Sequence, residues 1–178
     1  MSYRRENPLI VQSDRTILLE VNHPRFEEIR QHLSAFAELV KSPEYVHVYR
    51  ITPLSLWNAA SRGIKASEML ELLNRYGKFP IPPAVEREIV STVSRYGRVR
   101  LENREGELVL AFRDSEVKNE VLNFSGLQSL CEDRGSKTVR VKPERRGQLK
   151  RELLRLGYPV EDVAGYNEGE LLPFRLRQ

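Results

Sequence analysis

Glycine cuts the middle of this chain into helix-sized pieces. Between residues 52 and 113, Gly63, Gly77 and Gly97 each follow a stretch whose apolar residues recur every three or four positions. A glycine just past such a stretch stops a helix, because it enters the left-handed backbone region without steric cost. The starts are marked as well. Thr52-Pro53 is a capping residue followed by proline at the first helical position. Ser67 is the expected cap of the next stretch, which carries Met69, Leu72, Leu73 and Tyr76 on one face. The connector Phe79-Pro80-Ile81-Pro82-Pro83 leads to a third helix from about Ala84, with Val85, Ile89, Val93 and Tyr96 inward. Beyond Gly97, RVRLE and ELVLAF flank the turn Asn103-Arg104-Glu105-Gly106, which predicts two short strands. Three short helices followed by a hairpin is the order of a winged helix-turn-helix. Trp57 falls on the same helix face as Leu54, so core packing is expected of it, not base stacking.

The flanking regions have other patterns. LIVQ and TILLEV around Ser13-Asp14-Arg15 predict a hairpin over residues 9–21. Pro24 opens a helix whose apolar residues Phe26, Ile29, Leu33, Phe36 and Val40 carry it to Ser42-Pro43. The β-formers from Tyr45 to Ile51 predict a third strand on the hairpin. Further on, Asp114-Ser115 caps one or two short helices using Val117, Val121, Phe124, Leu127 and Leu130. After a Gly135-Ser136 loop, Thr138–Lys142 alternates as a half-buried strand. Pro143 then opens a helix with Leu149, Leu153 and Leu156 inward, stopped by Gly157. The rest is turn-rich and reads as leading to a linker. The expected fold is α+β: a small unit of hairpin, helix and strand over 1–51, a winged-helix-like core over 52–113, and a strand-helix segment over 114–178.

Several function classes find no support. No GxxxxGK[ST] or GxGxxG loop is present to cradle phosphates, so no nucleotide cofactor is expected. His23, His32 and His47 lack partners at metal-ligand spacing, and Cys131 is the single cysteine, so neither a metal site nor a disulfide is expected. Nothing resembles a catalytic constellation. The N-terminal MSYRRENP is charged and leads into three apolar residues, which does not fit a signal peptide. No apolar run approaches a membrane span. A cytoplasmic, nucleoid-associated setting is expected, with no membrane partner.

Charge distribution supplies the candidate binding residues. Residues 134–155 hold nine basic and two acidic residues, and residues 156–174 hold four acidic and no basic ones. Two sets could meet nucleic acid or a protein partner. The first is the third helix and the following hairpin, with Arg87, Arg95, Arg98, Arg100 and Arg104. Glu86 and Glu88 share that helix and would repel phosphate, which argues against base reading. The second set is Lys142, Arg145, Arg146, Lys150, Arg151 and Arg155. Arg145 and Arg146 fall in a first helical turn, where the helix dipole disfavours positive charge. DNA phosphate or an acidic protein surface would offset them; the other reading is a solvated helix facing the acidic stretch that follows in the chain.

The most specific stretches are EYVHVYRITPLSLWNAASRGI and VSRYGRVRLE, with LKRELLRLGYP a weaker later one. They resemble the N-terminal, non-motor region of XPB-type DNA helicases, in the patterns H-x-Y-x-[LI]-T-x-x-S-L-x-x-A-x-x-x-G and Y-G-[RK]-[VL]-[RK]-L. The resemblance covers about residues 8–172, most closely through 112. The long acidic insertion of eukaryotic members is missing, as in bacterial ones. In that family the ATP-driven motor follows the segment seen here. The resemblance therefore implies a non-catalytic accessory module that docks the motor to DNA or to repair and transcription proteins. Its partners would be helicase motor domains, in cis or in trans, and DNA bound weakly and without sequence preference. The alternative is a free-standing winged-helix transcription regulator, which would need a dimerisation element and a base-reading helix.

Overall fold

The computed structural model describes residues 3–133, 135 and 137–165. The expected C-terminal linker, residues 166–172 of the resemblance, and Ser136 of the expected loop lie outside the described residues. The fold is α+β, with two sheets and seven α-helices among the described residues. The chain divides into two compact units. One runs to Arg98 and includes Gly157–Pro159; the other comprises Val99–Leu156 and continues from Val160.

The first unit begins with the expected hairpin, β1 (Leu9–Val11) and β2 (Thr16–Glu20). Asp14 shapes its turn by accepting from the Thr16 amide at 3.0 Å, while Arg15 takes a positive φ of 70°. Helix α1 (Phe26–Ser34) follows, then β3 (Glu38–Lys41) and β4 (Val46–Arg50), giving a four-stranded antiparallel sheet in the order β1-β2-β4-β3. Helix α2 (Pro53–Ser61) starts on a reciprocal cap in which Thr52 Oγ1 accepts from the Ser55 amide and Ser55 Oγ accepts from the Thr52 amide. Helices α3 (Ala66–Tyr76) and α4 (Pro83–Ser94) complete the unit. One apolar cluster joins the sheet to all four helices, including Leu9, Ile17, Leu19, Ile29, Leu33, Tyr49, Leu56, Met69, Leu73 and Ile89. The single tryptophan is buried, and its indole N–H donates to the Thr92 carbonyl of α4 at 2.8 Å.

The second unit is built on β5 (Val99–Arg104) and β6 (Glu107–Phe112), joined by a turn with Glu105 and Gly106 both at positive φ. That is the geometry a tight hairpin selects, and glycine meets it at the second position. Helix α5 (Ser115–Leu122) is capped by Asp114, which accepts from the Val117 amide at 2.8 Å. Then come α6 (Ser125–Gln128), β7 (Cys131–Asp133), β8 (Thr138–Val141), a 3-10 turn over Pro143–Arg145, α7 (Arg146–Arg155) and β9 (Val160–Asp162). The sheet order is β7-β8-β6-β5-β9, antiparallel except for the parallel pair β5–β9. Its apolar rows, Val99 and Leu101, Leu110 and Phe112, Val139 and Val141, are buried, as are Val117 and Val121 of α5 and Leu149 and Leu153 of α7.

Several expectations need correction. The first helix stops at Ser34, and residues 38–41 form an edge strand. Phe36 is buried, but from the turn after the helix, and Val40 is exposed at a bulge between Leu39 and Lys41. Pairing with β4 overrides a periodicity that ran on by coincidence. The second middle helix starts at Ala66, where the Lys65 amide donates to Glu68 Oε2 at 2.7 Å, so Ser67 is not its cap. Leu54 and Phe124 are exposed. The sequence pattern predicts neither β7 nor β9, because both are short and charged. The hairpin is not a free wing: β5 is paired on both sides and β6 pairs with β8, within the sheet of the second unit. The two compact units meet in sequence at Arg98/Val99, and the sheet of residues 9–50 and helices α2–α4 share one core.

Candidate nucleic-acid interface

The expected basic residues sort by their partners. In the first unit, Arg87 lies exposed on α4 and Arg95 at its C-terminal cap. Arg98 Nε donates back to the Ser94 carbonyl at 3.1 Å, which occupies it at the helix end. Glu86 is exposed on the same helix, and Glu88 is held by Arg15 at 2.8 Å.

In the second unit, Arg100 on β5 pairs with Glu161, its neighbour on β9, at 3.1 Å. Arg104 pairs with Glu102 at 2.8 Å. Arg155 is exposed in the last turn of α7, 3.4 Å from Glu152. Such surface pairs hold little energy and open readily to a competing anion. Lys142 borders a small recess of about 290 Å³ with Glu132, Arg140, Pro143 and Glu144.

The remaining cations converge on a larger groove of about 640 Å³. Arg146, Lys150 and Arg151 of α7 line one side. Asn103, Gly106 and Leu108 of the β5–β6 turn line another, and Pro143, Gly147, Ala164 and Gly165 complete it. Arg145 stands exposed immediately before Arg146 and donates to Gln148 Oε1 at 3.1 Å. The glycines leave low walls: a Cβ added at Gly106, Gly147 or Gly165 would meet nothing within 4 Å.

Asp162 answers the unfavourable charge in the first turn of α7. Arg146 donates to both of its oxygens, at 2.6 and 3.1 Å, and Lys150 Nζ donates to Oδ2 at 2.9 Å. Burial alone would raise the Asp162 carboxyl, but the hydrogen bonds from Arg146, Lys150 and the Ala164 amide, with the Lys150 charge, hold it below the ordinary value. One carboxylate thus serves two cations, and the groove keeps a positive balance through Arg151. The sequence does not single out Asp162 as an individual residue, though the acidic stretch after a basic helix is the signal pointing to it.

Residues 9–134 match the family described as helicase conserved C-terminal domain. The chain belongs to that family. It is similar to the DNA 3'-5' helicase XPB of Kineococcus radiotolerans, at 44% identity over 93% of this chain and 30% of the relative. The DNA 3'-5' helicase XPB of Mycobacterium tuberculosis is 43% identical over 97% of this chain and 32% of its own length. The XPB helicase/translocase subunit of general transcription and DNA repair factor IIH from Schizosaccharomyces pombe is 34% identical over 58% of this chain and 13% of its own length. The chain therefore spans about a third of the length of the bacterial relatives it matches. Its likeness to XPB-type helicases and its family membership do not favour the free-standing transcription regulator. The resemblance implied an N-terminal region, whereas the family's description names a C-terminal domain. Among the described residues no cluster of His, Cys, Asp or Glu could hold a metal ion, and no helix is long and apolar enough to cross a membrane.

Proposed function

We propose that this chain is a non-catalytic accessory module of an XPB-like DNA helicase, placed before the motor, that engages DNA through the basic groove of its second unit. The observation that carries the reading is the convergence of Arg146, Lys150 and Arg151 on a low-walled groove beside the β5–β6 turn. Clustered arginine and lysine in a concave surface suit phosphate oxygens, contacts that carry no sequence information. The winged-helix order of α2, α3, α4 and the hairpin serves docking in this reading, since Glu86 and Glu88 make α4 a poor partner for phosphate. The relatives named DNA helicases support DNA as the partner, with motor domains and repair or transcription proteins as further ones.

The deciding experiment is a gel-shift series on duplex and forked DNA with Arg145→Glu and Arg151→Glu. These two are chosen because both are exposed and neither bonds to Asp162. Loss of binding to both DNA forms is expected. Unchanged affinity in the double variant overturns the DNA reading and leaves the groove a protein-docking surface.

A further inference from the structure

The N-terminal strap of the first unit holds two aromatic rings in the open. Tyr3 and Phe79 are 56% and 50% exposed, yet their rings stack on each other with centroids 5.0 Å apart and planes 30° apart. Both are held by backbone. The Arg4 amide donates to the Lys78 carbonyl at 2.9 Å. Asn7 Nδ2 donates to the carbonyls of Arg75 and Gly77 at 2.9 and 3.0 Å, closing the end of α3. Lys78 Nζ donates to the Arg5 carbonyl at 2.8 Å and pairs with Glu20 at 2.9 Å. On the other side of Phe79, the chain is stiffened by Pro80 and anchored by buried Ile81.

Charge beside the rings is also uncommitted. Arg4 and Arg5 are exposed and form no salt bridge among the described residues, and Arg4 reaches only the Asn74 carbonyl, at 3.4 Å.

We propose that Tyr3 and Phe79, flanked by Arg4 and Arg5, form a stacking platform for the unpaired bases of single-stranded nucleic acid. The rings stack on each other and each residue stays about half exposed, which leaves room for an outer stacking partner. A base stacks on that outer side, and the guanidinium groups meet the adjoining phosphates. Paired bases inside a duplex present no free face, so the platform selects single strands. A protein partner would use the same rings, but two unpaired arginines beside them favour a polyanion. No residue of the groove takes part, so the two sites fail or stand separately.

The test titrates the chain with oligothymidylate of about twenty nucleotides and with duplex of equal length, for Tyr3→Ala, Phe79→Ala, Phe79→Trp and the pair Arg4→Glu with Arg5→Glu. Each alanine variant is expected to weaken oligothymidylate binding about fivefold or more, with duplex binding and thermal unfolding unchanged. Phe79→Trp is expected to keep the affinity, and its added fluorescence is expected to be quenched by oligothymidylate but not by an abasic strand. Charge reversal at Arg4 and Arg5 is expected to weaken the strand and flatten its salt dependence. Wild-type strand affinity in the alanine variants, or no quenching of Phe79→Trp, overturns the proposal. So does an equal loss for strand and duplex, or self-association of the wild type that the alanine variants remove, which would mark a protein surface.

Discussion

The Arg146 guanidinium grips the Asp162 carboxylate through two hydrogen bonds, Nη2 to Oδ1 at 2.6 Å and Nε to Oδ2 at 3.1 Å. The pair ties the first turn of α7 to β9, with side chains only 15% and 12% exposed. Asp162→Asn removes the charge that offsets Arg146 and Lys150 and leaves a partly buried guanidinium short of its partner. A loss of about 2 kcal/mol in unfolding free energy is expected from urea melts, the scale of hydrogen bonds to charged groups. Arg151→Glu, which touches no part of this cluster, is expected to stay within about 0.5 kcal/mol of wild type.

The same pair sets a pH dependence. The Asp162 carboxyl is held below its ordinary 3.8 in the folded chain, against burial, by Arg146 and Lys150. Between the folded value and the unfolded one, the unfolded chain binds the extra proton, so stability rises with pH. The contribution is complete above the unfolded value and is lost as pH falls through the folded one. The gap between wild type and Asp162→Asn in urea midpoint is therefore expected to be constant near neutrality and to close below about pH 4. A gap that persists unchanged at the acid end would show that the carboxylate's charge is not the source of its effect.

Gly77 is required by close approach, not by backbone angle. Its φ is −74°, which any residue adopts, but an added Cβ would lie 2.6 Å from the Leu73 carbonyl oxygen and 3.0 Å from that of Phe79. Backbone on both sides cannot yield as a flexible side chain would. Gly77→Ala is expected to cost about 1–3 kcal/mol in thermal or urea unfolding. Gly147→Ala, inside α7 with open space around the new carbon, is expected to be neutral or to stabilise by up to about 1 kcal/mol.

Ile89 is 1% exposed on α4 and belongs to the cluster that joins the sheet to the helices. Ile89→Ala is expected to cost about 2–5 kcal/mol, through reduced burial and the cavity left behind. Trp57, hydrogen-bonded to Thr92 on the same helix, gives a fluorescence signal from the same packing interface. A loss under about 0.5 kcal/mol would mean that the residue contributes as a surface position does.

What the sequence made legible follows from the range of the forces involved. Helices α2, α3 and α4 and both tight hairpins are fixed by local signals: Thr52-Pro53, Gly97, and Glu105-Gly106 at positive φ. Asp114 is legible as a cap because its bond reaches only to Val117. Strand β9 is not, because Val160–Asp162 has no strand pattern of its own and gains its partner about sixty residues back, at Val99–Leu101. Edge strand β3 is hidden by an apolar spacing that continues the helix before it. The basic residues are legible as a set, but their sorting is not. Arg100 and Arg104 are taken by Glu161 and Glu102, Arg146 and Lys150 by Asp162, and only the folded sheet brings Arg100 to Glu161 or Asp162 to α7.

That sorting shapes how the groove should bind DNA. Arg145 and Arg151 are free of Asp162, whereas Arg146 and Lys150 already share its carboxylate. A phosphate entering the groove meets charge and little else, since its remaining lining is Asn103, Leu108, proline, alanine and glycine. Binding should therefore be weak, indifferent to sequence and steeply dependent on salt, because affinity comes from counterion release. In titrations across salt concentration, reversing Arg145 and Arg151 should lower affinity alike for unrelated sequences. The salt slope should fall by about one unit for each phosphate that is no longer neutralised. Reversing Arg146 or Lys150 should lower affinity and stability together, which distinguishes them from Arg145 and Arg151. Reversing Arg100 or Arg104 should have a smaller effect, because neither lines the groove. A preference of about a thousandfold or more for one sequence, the range of specific binders, would overturn the docking reading.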